Sequence, residues 1–195
     1  KGLPIRSQSQ IDPTSRMEVG APQNIAVAPM AKLPRLIVGA RLVLQDCAVE
    51  WLALPTDRAA YERLSQLLTL GKRRAPKGEC HLLRADLLAG CRGMILIALA
   101  CDPATALPSL QAMQRAYPGF VFLGAAPRYD GSDQAWFQTC ADLSLRASAP
   151  MVAVGDVLMH RAQRRQLADV LICMRMGCTI DQIGTRALPN AERRL

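Results

Sequence analysis

The chain has 195 residues, of which half are hydrophobic, 21% are charged and only 4% are aromatic. Its 24 Lys and Arg residues outnumber its 16 Asp and Glu residues, so the formal net charge is +8 with His neutral. This composition excludes disorder of the whole chain, because disordered chains are poorer in apolar residues and richer in charge. The longest apolar runs, 94–101 and 149–154, fall far short of the ~18–20 residues of a membrane helix, which excludes a bilayer-spanning segment.

The start of the chain and its cysteines bear on the cellular compartment of the protein. The sequence begins with Lys1 rather than Met, which indicates a fragment or a processed product. No charged start precedes an apolar stretch of ~7–15 residues, so a secretory signal is not predicted. The seven cysteines include no C-x-x-C spacing, and their pattern suits neither zinc nor a disulfide framework. We therefore expect free thiols in a reducing cytoplasm.

Three segments are expected along the chain. Residues 1–33 contain several Pro, Ser and Gln without a clear period, which predicts an irregular or disordered lead-in. Residues 34–177 alternate short apolar runs with helical periods, which predicts an α/β domain with a largely parallel sheet. Both an open doubly wound sheet and a partial barrel fit this alternation. Residues 178–195 are expected to be a C-terminal extension with a short turn and a basic end.

The predicted elements follow one another in a regular order. The predicted strands are 36–39, 49–54, 94–100, 120–124 and 151–154, with 41–46 as a hairpin partner of the second. The predicted helices run from a cap at Thr56 or Asp57 to Gly71, and over 82–89, 102–117, 131–147 and 160–177. The third strand is continuously apolar, so we expect it to be covered on both faces. In the last helix, an i, i+3, i+4, i+7 stripe is predicted to face the core. The stripe consists of Leu167, Val170, Leu171 and Met174.

Ligand sites of α/β folds lie at the C-terminal ends of the strands, so the residues after each predicted strand are candidates. The last strand is followed by an acid and a histidine, Asp156 and His160, which are both suitable ligands for a divalent metal. Two ligands do not make a metal site, and other strand ends carry Arg41 and Arg128, which repel cations. The alternatives are that Asp156 caps the following helix and that His160 is an ordinary surface residue.

A basic run follows the first predicted helix. Lys72, Arg73, Arg74 and Lys77 place four cations in six residues, within a loop predicted over 72–78. Such a cluster can neutralise phosphates and release counterions. Aromatic residues that could stack on bases are absent nearby, so single-strand base readout is not predicted. The run is therefore either a solvated loop or a contact with a phosphate backbone or another subunit.

Two stretches carry a resemblance to a known family. They are TDRAAYERLSQLLTLGKRRAPKG within 55–87, and GDVLMHRAQRRQLADVL with the later NAER within 153–195. Both resemble the bacterial C-family DNA polymerases, the replicative polymerase III alpha-subunit family, and in particular its error-prone, translesion branch. The resemblance covers about residues 34–195 and does not extend to 1–33.

The resemblance implies a position within such a polymerase. This part would be the N-terminal PHP (polymerase and histidinol phosphatase) domain, a distorted β/α (TIM-like) barrel whose first strands would precede residue 34 and are missing. In some family members this domain binds a metal cluster and has phosphoesterase or exonuclease activity, and in others it is an inert scaffold. The palm domain lies well downstream, so this chain is not expected to polymerise DNA by itself.

The resemblance also assigns the positions of the metal ligands. The family's opening His-x-His would lie before residue 34, where this sequence has no His. Arg41 stands where an acid is expected, and Arg128 lies near the place of an expected His. Of the late Asp-x-His, Asp156 is kept and Leu158 replaces the His. We therefore predict a dismantled metal site without a cofactor, and a divalent metal (Zn, Mn or Mg) only if the site is active.

Three functions stay open on this sequence. The first is a non-catalytic module that supports the polymerase core of a parent enzyme, with the +8 charge favouring nearby DNA. The second is a metal-dependent phosphoesterase or 3′→5′ exonuclease on the same barrel. The third is a free-standing interaction protein derived from a polymerase gene. The expected partners are the polymerase core, DNA and other translesion-synthesis proteins, with no membrane and a cytoplasmic location.

Overall fold

Strands and helices alternate along residues 36–99 and 102–194, which are the residues described by this computed structural model. The predicted lead-in over 1–33 lies outside the described residues. The strands are β1 Ala40–Leu42, β2 Glu50–Pro55, β3 Met94–Leu99, β4 Val121–Ala125 and β5 Met151–Ala153. The helices are α1 Arg58–Arg74, α2 Arg84–Gly90, α3 Pro103–Ala116, α4 Asp133–Ala147 and α5 Arg165–Met176. Short 3-10 turns occupy Ala162–Arg164, Ile180–Gln182 and Gly184–Arg186. The α/β class is therefore confirmed.

The five strands form one open sheet in the order β1-β2-β3-β4-β5. The pairs β3-β4 and β4-β5 are parallel, whereas β1-β2 and β2-β3 are antiparallel. The expectation of a largely parallel sheet is thus correct only for the strands β3, β4 and β5. The cause is the pair of helices α1 and α2 between β2 and β3. Two helices in succession return the chain to the end of the sheet where it left, so β3 starts opposite Pro55 and runs back along β2.

One face of the sheet carries most of the core. Its buried residues pack together with buried side chains from α1, α2, α3 and α4 in one hydrophobic cluster. They are Trp51, Ala53, Met94, Leu96, Ala98, Val121 and Leu123. The opposite face is also apolar but only half-buried, so the prediction that β3 is covered on both faces is correct only in part. That second face carries Leu52, Leu54, Ile95, Ile97, Leu99, Phe122 and Val152.

Local signals explain the elements that the sequence predicts well. The Asp57 side chain accepts a hydrogen bond from the Ala60 N–H and caps α1, as predicted. In α4, the spacing predicts that Trp136, Phe137, Cys140 and Leu143 face inward. Phe137 is half-buried, and the other three are buried. The α5 helix ends at Gly177, whose φ of 63° lies in the left-handed region that favours glycine.

The first predicted strand and the first predicted helix end need correction. Residues 36–39 are not a strand, because β2 ends at Pro55, which has no N–H to pair with them. Gly71 does not end α1, which continues to Arg74. A Cβ atom on Gly71 would lie 2.6 Å from the Cys80 Sγ. This glycine therefore permits a close contact between the helix and the following segment.

The last helix departs most from prediction. Helix α5 begins at Arg165 rather than at His160, after a 3-10 turn. The stripe predicted to face the core is exposed, and the buried residues of α5 are Asp169 and Cys173. The reason is a polar contact, since the Asp169 Oδ1 accepts the Leu188 N–H at 2.9 Å. This bond holds the C-terminal extension against the polar side of α5.

Two further features of the described residues concern the cysteines and the length of the helices. All six cysteines within these residues are free thiols, and burial raises the pKa of the Cys91 thiol to about 12. No helix among residues 36–99 and 102–194 combines the length and apolar character that crossing a membrane requires.

The close packing at Gly71 generates a test. We expect Gly71→Ala to lower the free energy of unfolding by about 1–2 kcal/mol, because overpacking against buried Leu82 outweighs the ~1 kcal/mol gain in helix propensity. Gly90→Ala is the matched control, since its Cβ would lie 3.6 Å from the Leu67 Cδ1 in ordinary contact. Urea unfolding of the two variants gives the comparison. Equal or greater stability of Gly71→Ala would contradict the packing account.

Candidate functional site

A cleft of about 460 Å³ opens at the C-terminal ends of the parallel strands. Leu99 at the end of β3 and Gly124 in β4 form part of its floor. Glu50 lies at the same edge because β2 runs antiparallel and its first residue pairs with Leu99. The cleft therefore occupies the place where α/β folds carry their ligand sites.

The cleft contains a bridge of three charged residues. The Arg41 Nη1 lies 3.3 Å from the Asp156 Oδ1, and Arg193 donates from its Nη2 to the Asp156 Oδ2. Arg41 belongs to β1 and Asp156 follows β5, and these two strands are the edges of the sheet. Four strand spacings of ~4.8 Å put the edges about 19 Å apart in a flat sheet. The long Arg41 side chain and the segment after β5 must therefore lean toward each other across the strand ends.

The C-terminal extension is fastened at this bridge. The Arg193 Nε also donates to the backbone oxygen of Asp156 at 3.2 Å. The Arg193 carbonyl accepts from the N–H groups of Leu158 at 2.9 Å and Met159 at 3.3 Å. Arg193 is thus joined to the segment after β5 through both its side chain and its backbone. Sequence reasoning gave Arg193 no role, although it ends the NAER run on which the resemblance partly rests.

A loop after β4 completes the cleft. The Arg128 guanidinium stacks over the Trp136 ring, 3.5 Å from its centroid. The Asp133 carboxylate accepts the Arg128 N–H at 2.6 Å and the Tyr129 N–H at 3.2 Å, which ties this loop to the start of α4. The Asp130 side chain accepts two hydrogen bonds from Ser132, which lower the pKa of its carboxyl. These acidic residues therefore hold the loop in place.

The structure brings together three of the positions that the resemblance assigns to metal ligands. Arg41, Arg128 and Asp156 all line the cleft. His160 is exposed and is not among the lining residues, and Asp156 forms the bridge rather than a helix cap. Within the described ranges, no three His, Cys, Asp or Glu side chains come together as a metal site. Both oxygens of Asp156 face guanidinium groups. These residues do not fit a divalent metal cluster.

The basic run has a different structure from the predicted loop. Lys72, Arg73 and Arg74 form the last turn of α1, where positive charge interacts favourably with the helix dipole. The Arg74 Nη1 lies 2.6 Å from the Asp86 Oδ2 and joins α1 to α2. Within the described ranges, Arg74 is the member of the run that forms an ion pair. A phosphate contact by the four residues of the run, Arg74 included, stays a prediction.

Comparisons with known proteins match the chain to error-prone DNA polymerases. Over its full length the chain is 69% identical to an error-prone DNA polymerase of Ruegeria pomeroyi and covers 18% of that protein. It is 45% identical over 168 residues to an error-prone DNA polymerase of Rhodopseudomonas palustris, with 83% of this chain and 15% of the relative covered. It is 38% identical over 161 residues to error-prone DNA polymerase 1 of Agrobacterium fabrum, with 82% and 15% covered. No protein-family model matches the chain.

The fold and the cleft define an α/β module whose strand ends are bridged by arginines. By its sequence, the chain is homologous to the error-prone DNA polymerases, which confirms the resemblance carried by the two stretches. The match to the Ruegeria pomeroyi polymerase covers the whole chain, so the expectation that the resemblance does not extend to residues 1–33 is wrong. It spans less than a fifth of the length of the relatives compared above.

The bridge predicts a local effect of removing one charge. We expect Asp156→Asn to speed amide exchange at Leu158 and Met159, because weaker attachment of Arg193 exposes the bonds to its carbonyl. Asn tolerates the positive φ of 40° at this position, so the substitution adds little backbone strain. Asp130→Asn, in the same cleft, is the control and should leave both amides unchanged. Hydrogen exchange by NMR measures the effect, and unchanged exchange in Asp156→Asn would refute it.

The Arg74–Asp86 pair predicts a pH dependence. Burial acts to raise the pKa of Asp86, but hydrogen bonds from Arg74 and the Leu83 N–H, with the charge of Arg74, hold it below the usual value. The lowered pKa stabilises the fold above the unfolded-state pKa of about 3.9, and this contribution is lost as pH falls through the lower folded-state pKa. Asp86→Asn should therefore cost about 1 kcal/mol at pH 7 and progressively less at more acidic pH.

Urea unfolding of Asp86→Asn and the unsubstituted chain between pH 7 and pH 2.5 measures this difference. Arg73→Gln is the control, because Arg73 lies in the same helical turn but outside the pair. A cost of Asp86→Asn that stays constant over the whole pH range would rule out the ion pair as its cause.

Proposed function

We propose that this chain is the PHP-type module of an error-prone DNA polymerase and that it acts as a metal-free scaffold for the polymerase core. The observation that carries the proposal is the Asp156 bridge, in which two guanidinium groups take the side-chain oxygens that a metal would need. Its place of action would be the cytoplasm, on DNA during translesion synthesis and repair.

The arrangement of helices supports the barrel assignment over a doubly wound sheet. Helices α1 to α4 all contribute to the cluster on one face of the sheet. Doubly wound folds place helices on both faces, whereas β/α barrels place them on the outside only. The half-buried second face carries Leu52, Ile97 and Phe122, and it would be the interior of the barrel. A distorted barrel without its first strands therefore accounts for an apolar face that is only partly covered.

Electrostatics supports the scaffold over the exonuclease. A divalent cation at Asp156 would lie within a few ångströms of the Arg41 and Arg193 guanidinium groups, and these two positive charges would repel it. The two arginines already satisfy the carboxylate through charged hydrogen bonds, which are stronger than neutral ones. The site is thus stable without a metal, because the two guanidinium groups supply the positive charge that Asp156 needs.

The polymerase context supports DNA as a partner. The relatives named above are error-prone DNA polymerases, and the net charge of +8 favours an anionic surface nearby. Lys72, Arg73 and Lys77 are the basic side chains that we propose for phosphate contact. Arg74 is a fourth candidate for this role, although one nitrogen of its guanidinium bonds to Asp86.

Metal content tests the scaffold proposal. Protein purified without chelator, then incubated with Zn²⁺ and Mn²⁺ and passed over a desalting column, should carry no stoichiometric metal by mass spectrometry. The same preparation should not hydrolyse a generic phosphoester, because no metal activates water in the cleft. His160→Ala is the control for adventitious binding to an exposed imidazole. Two or three retained ions per chain, with hydrolysis abolished by Asp156→Asn, would overturn the proposal in favour of the phosphoesterase.

A further inference from the structure

The outer face of α5 is an exposed apolar surface that no other element of the described residues covers. Leu167 is 50% exposed, Val170 43%, Leu171 57% and Met174 73%. Their spacing of i, i+3, i+4 and i+7 puts them side by side on one face of the helix. We call these four residues the α5 stripe. Single exposed apolar residues are ordinary on protein surfaces, whereas a continuous stripe on one helix face marks an interaction site.

The helix cannot turn this stripe inward without breaking specific bonds. Asp169 lies on the opposite side, is buried, and accepts the Leu188 N–H. Arg165, one turn earlier, lies 3.8 Å from the Asp169 carboxylate. Rotation of α5 would take Asp169 away from the Leu188 N–H and leave this buried donor without its partner, which costs the full desolvation penalty of that group. The fold therefore presents the α5 stripe outward by its own bonding.

The size of the surface favours a tethered partner over a free one. The α5 stripe offers on the order of 400 Å² of apolar surface, well below the ~800 Å² per partner of a stable complex between separate proteins. A segment of the same polypeptide needs less area, because the covalent link supplies a high effective concentration. More than four-fifths of the Ruegeria pomeroyi relative lies outside the part that this chain matches. That length of chain is the available occupant.

The rim of the surface indicates the chemistry of the occupant. Two exposed arginines flank the stripe, Arg164 at the end of the 3-10 turn before α5 and Arg175 in the last turn of α5. Interfaces pair an apolar centre with complementary charge at the rim. The surface thus suits an apolar patch edged by Asp or Glu.

We propose that the α5 stripe is the surface on which the polymerase-bearing remainder of the longer chain docks, through an apolar patch with an acidic rim. The proposal rests on the proposed function, since it names the partner that the scaffold supports. Docking here places the contact on the helix that holds the C-terminal extension through the bond from the Leu188 N–H to Asp169. The bridge would then hold the docking helix at a fixed position relative to the sheet.

Oxidation footprinting tests the proposal. The probe is hydrogen peroxide, which converts exposed Met to the sulfoxide. It is applied to this chain alone and to the Ruegeria pomeroyi polymerase in which this chain replaces the matching segment. We expect sulfoxide formation at Met174 to be about tenfold slower in the chimera. Buried Met94 and Met113 are internal controls for unfolding and should stay unmodified in both.

A pair of substitutions gives a second readout. Leu171→Glu puts a carboxylate into the proposed contact and should lower the midpoint temperature of the chimera while leaving that of the isolated chain unchanged. Leu145→Glu is the matched control, because Leu145 is 79% exposed on α4 and lies outside the stripe. It should change neither protein.

The outcomes separate the docking proposal from the function proposed above. Equal oxidation of Met174 in both proteins, or equal effects of Leu171→Glu and Leu145→Glu in the chimera, would overturn docking. Protection of Met174 in the isolated chain that grows with concentration would also overturn it, in favour of a second copy as occupant. Metal content tests the scaffold proposal, and the oxidation rate of Met174 tests the docking proposal. Either proposal can therefore fail while the other stands.

Discussion

The ion bridge of Asp156 with Arg41 and Arg193 is the interaction on which the candidate site depends, because it joins the first strand, the last strand and the C-terminal extension at one point. A partly buried carboxylate between two guanidinium groups is stable only while its partners stay in place. Each partner comes from a different part of the chain, so the bridge fixes their relative positions. The same contacts that hold the cleft together also occupy the oxygens that a metal would bind.

One hydrophobic cluster lies between the sheet and helices α1 to α4. Outside it, Met159, Cys173, Ile183 and Leu188 are buried in α5 and the segments around it. This second part depends on polar contacts, with Asp169 holding the Leu188 N–H and Arg193 holding the segment after β5. The α5 stripe therefore stays on the surface, as the proposed docking requires.

The sequence predicts the elements whose signals are local. Helix α4 follows from the spacing of Trp136, Cys140 and Leu143, and β3 follows from its continuous apolar run. Three features depend on residues that are distant in the chain, and local patterns do not reveal them. The stripe on α5 is identical in sequence terms to a core-facing stripe, and only the bond from Asp169 to the C-terminal extension decides its direction. Likewise, nothing near Arg193 in the sequence indicates Asp156 as its partner, and Gly71 reads as a helix end until its contact with Cys80 is seen.

A double-mutant cycle between Asp156 and Arg193 tests the central claim most directly. The unfolding free energies of Asp156→Asn, Arg193→Gln and the double variant give the coupling between the two side chains. The account predicts a coupling energy of about 1–2 kcal/mol, because each single substitution already removes most of the attachment. Additive effects, with a coupling energy near zero, would mean that the two residues act independently and that the bridge does not hold the site together.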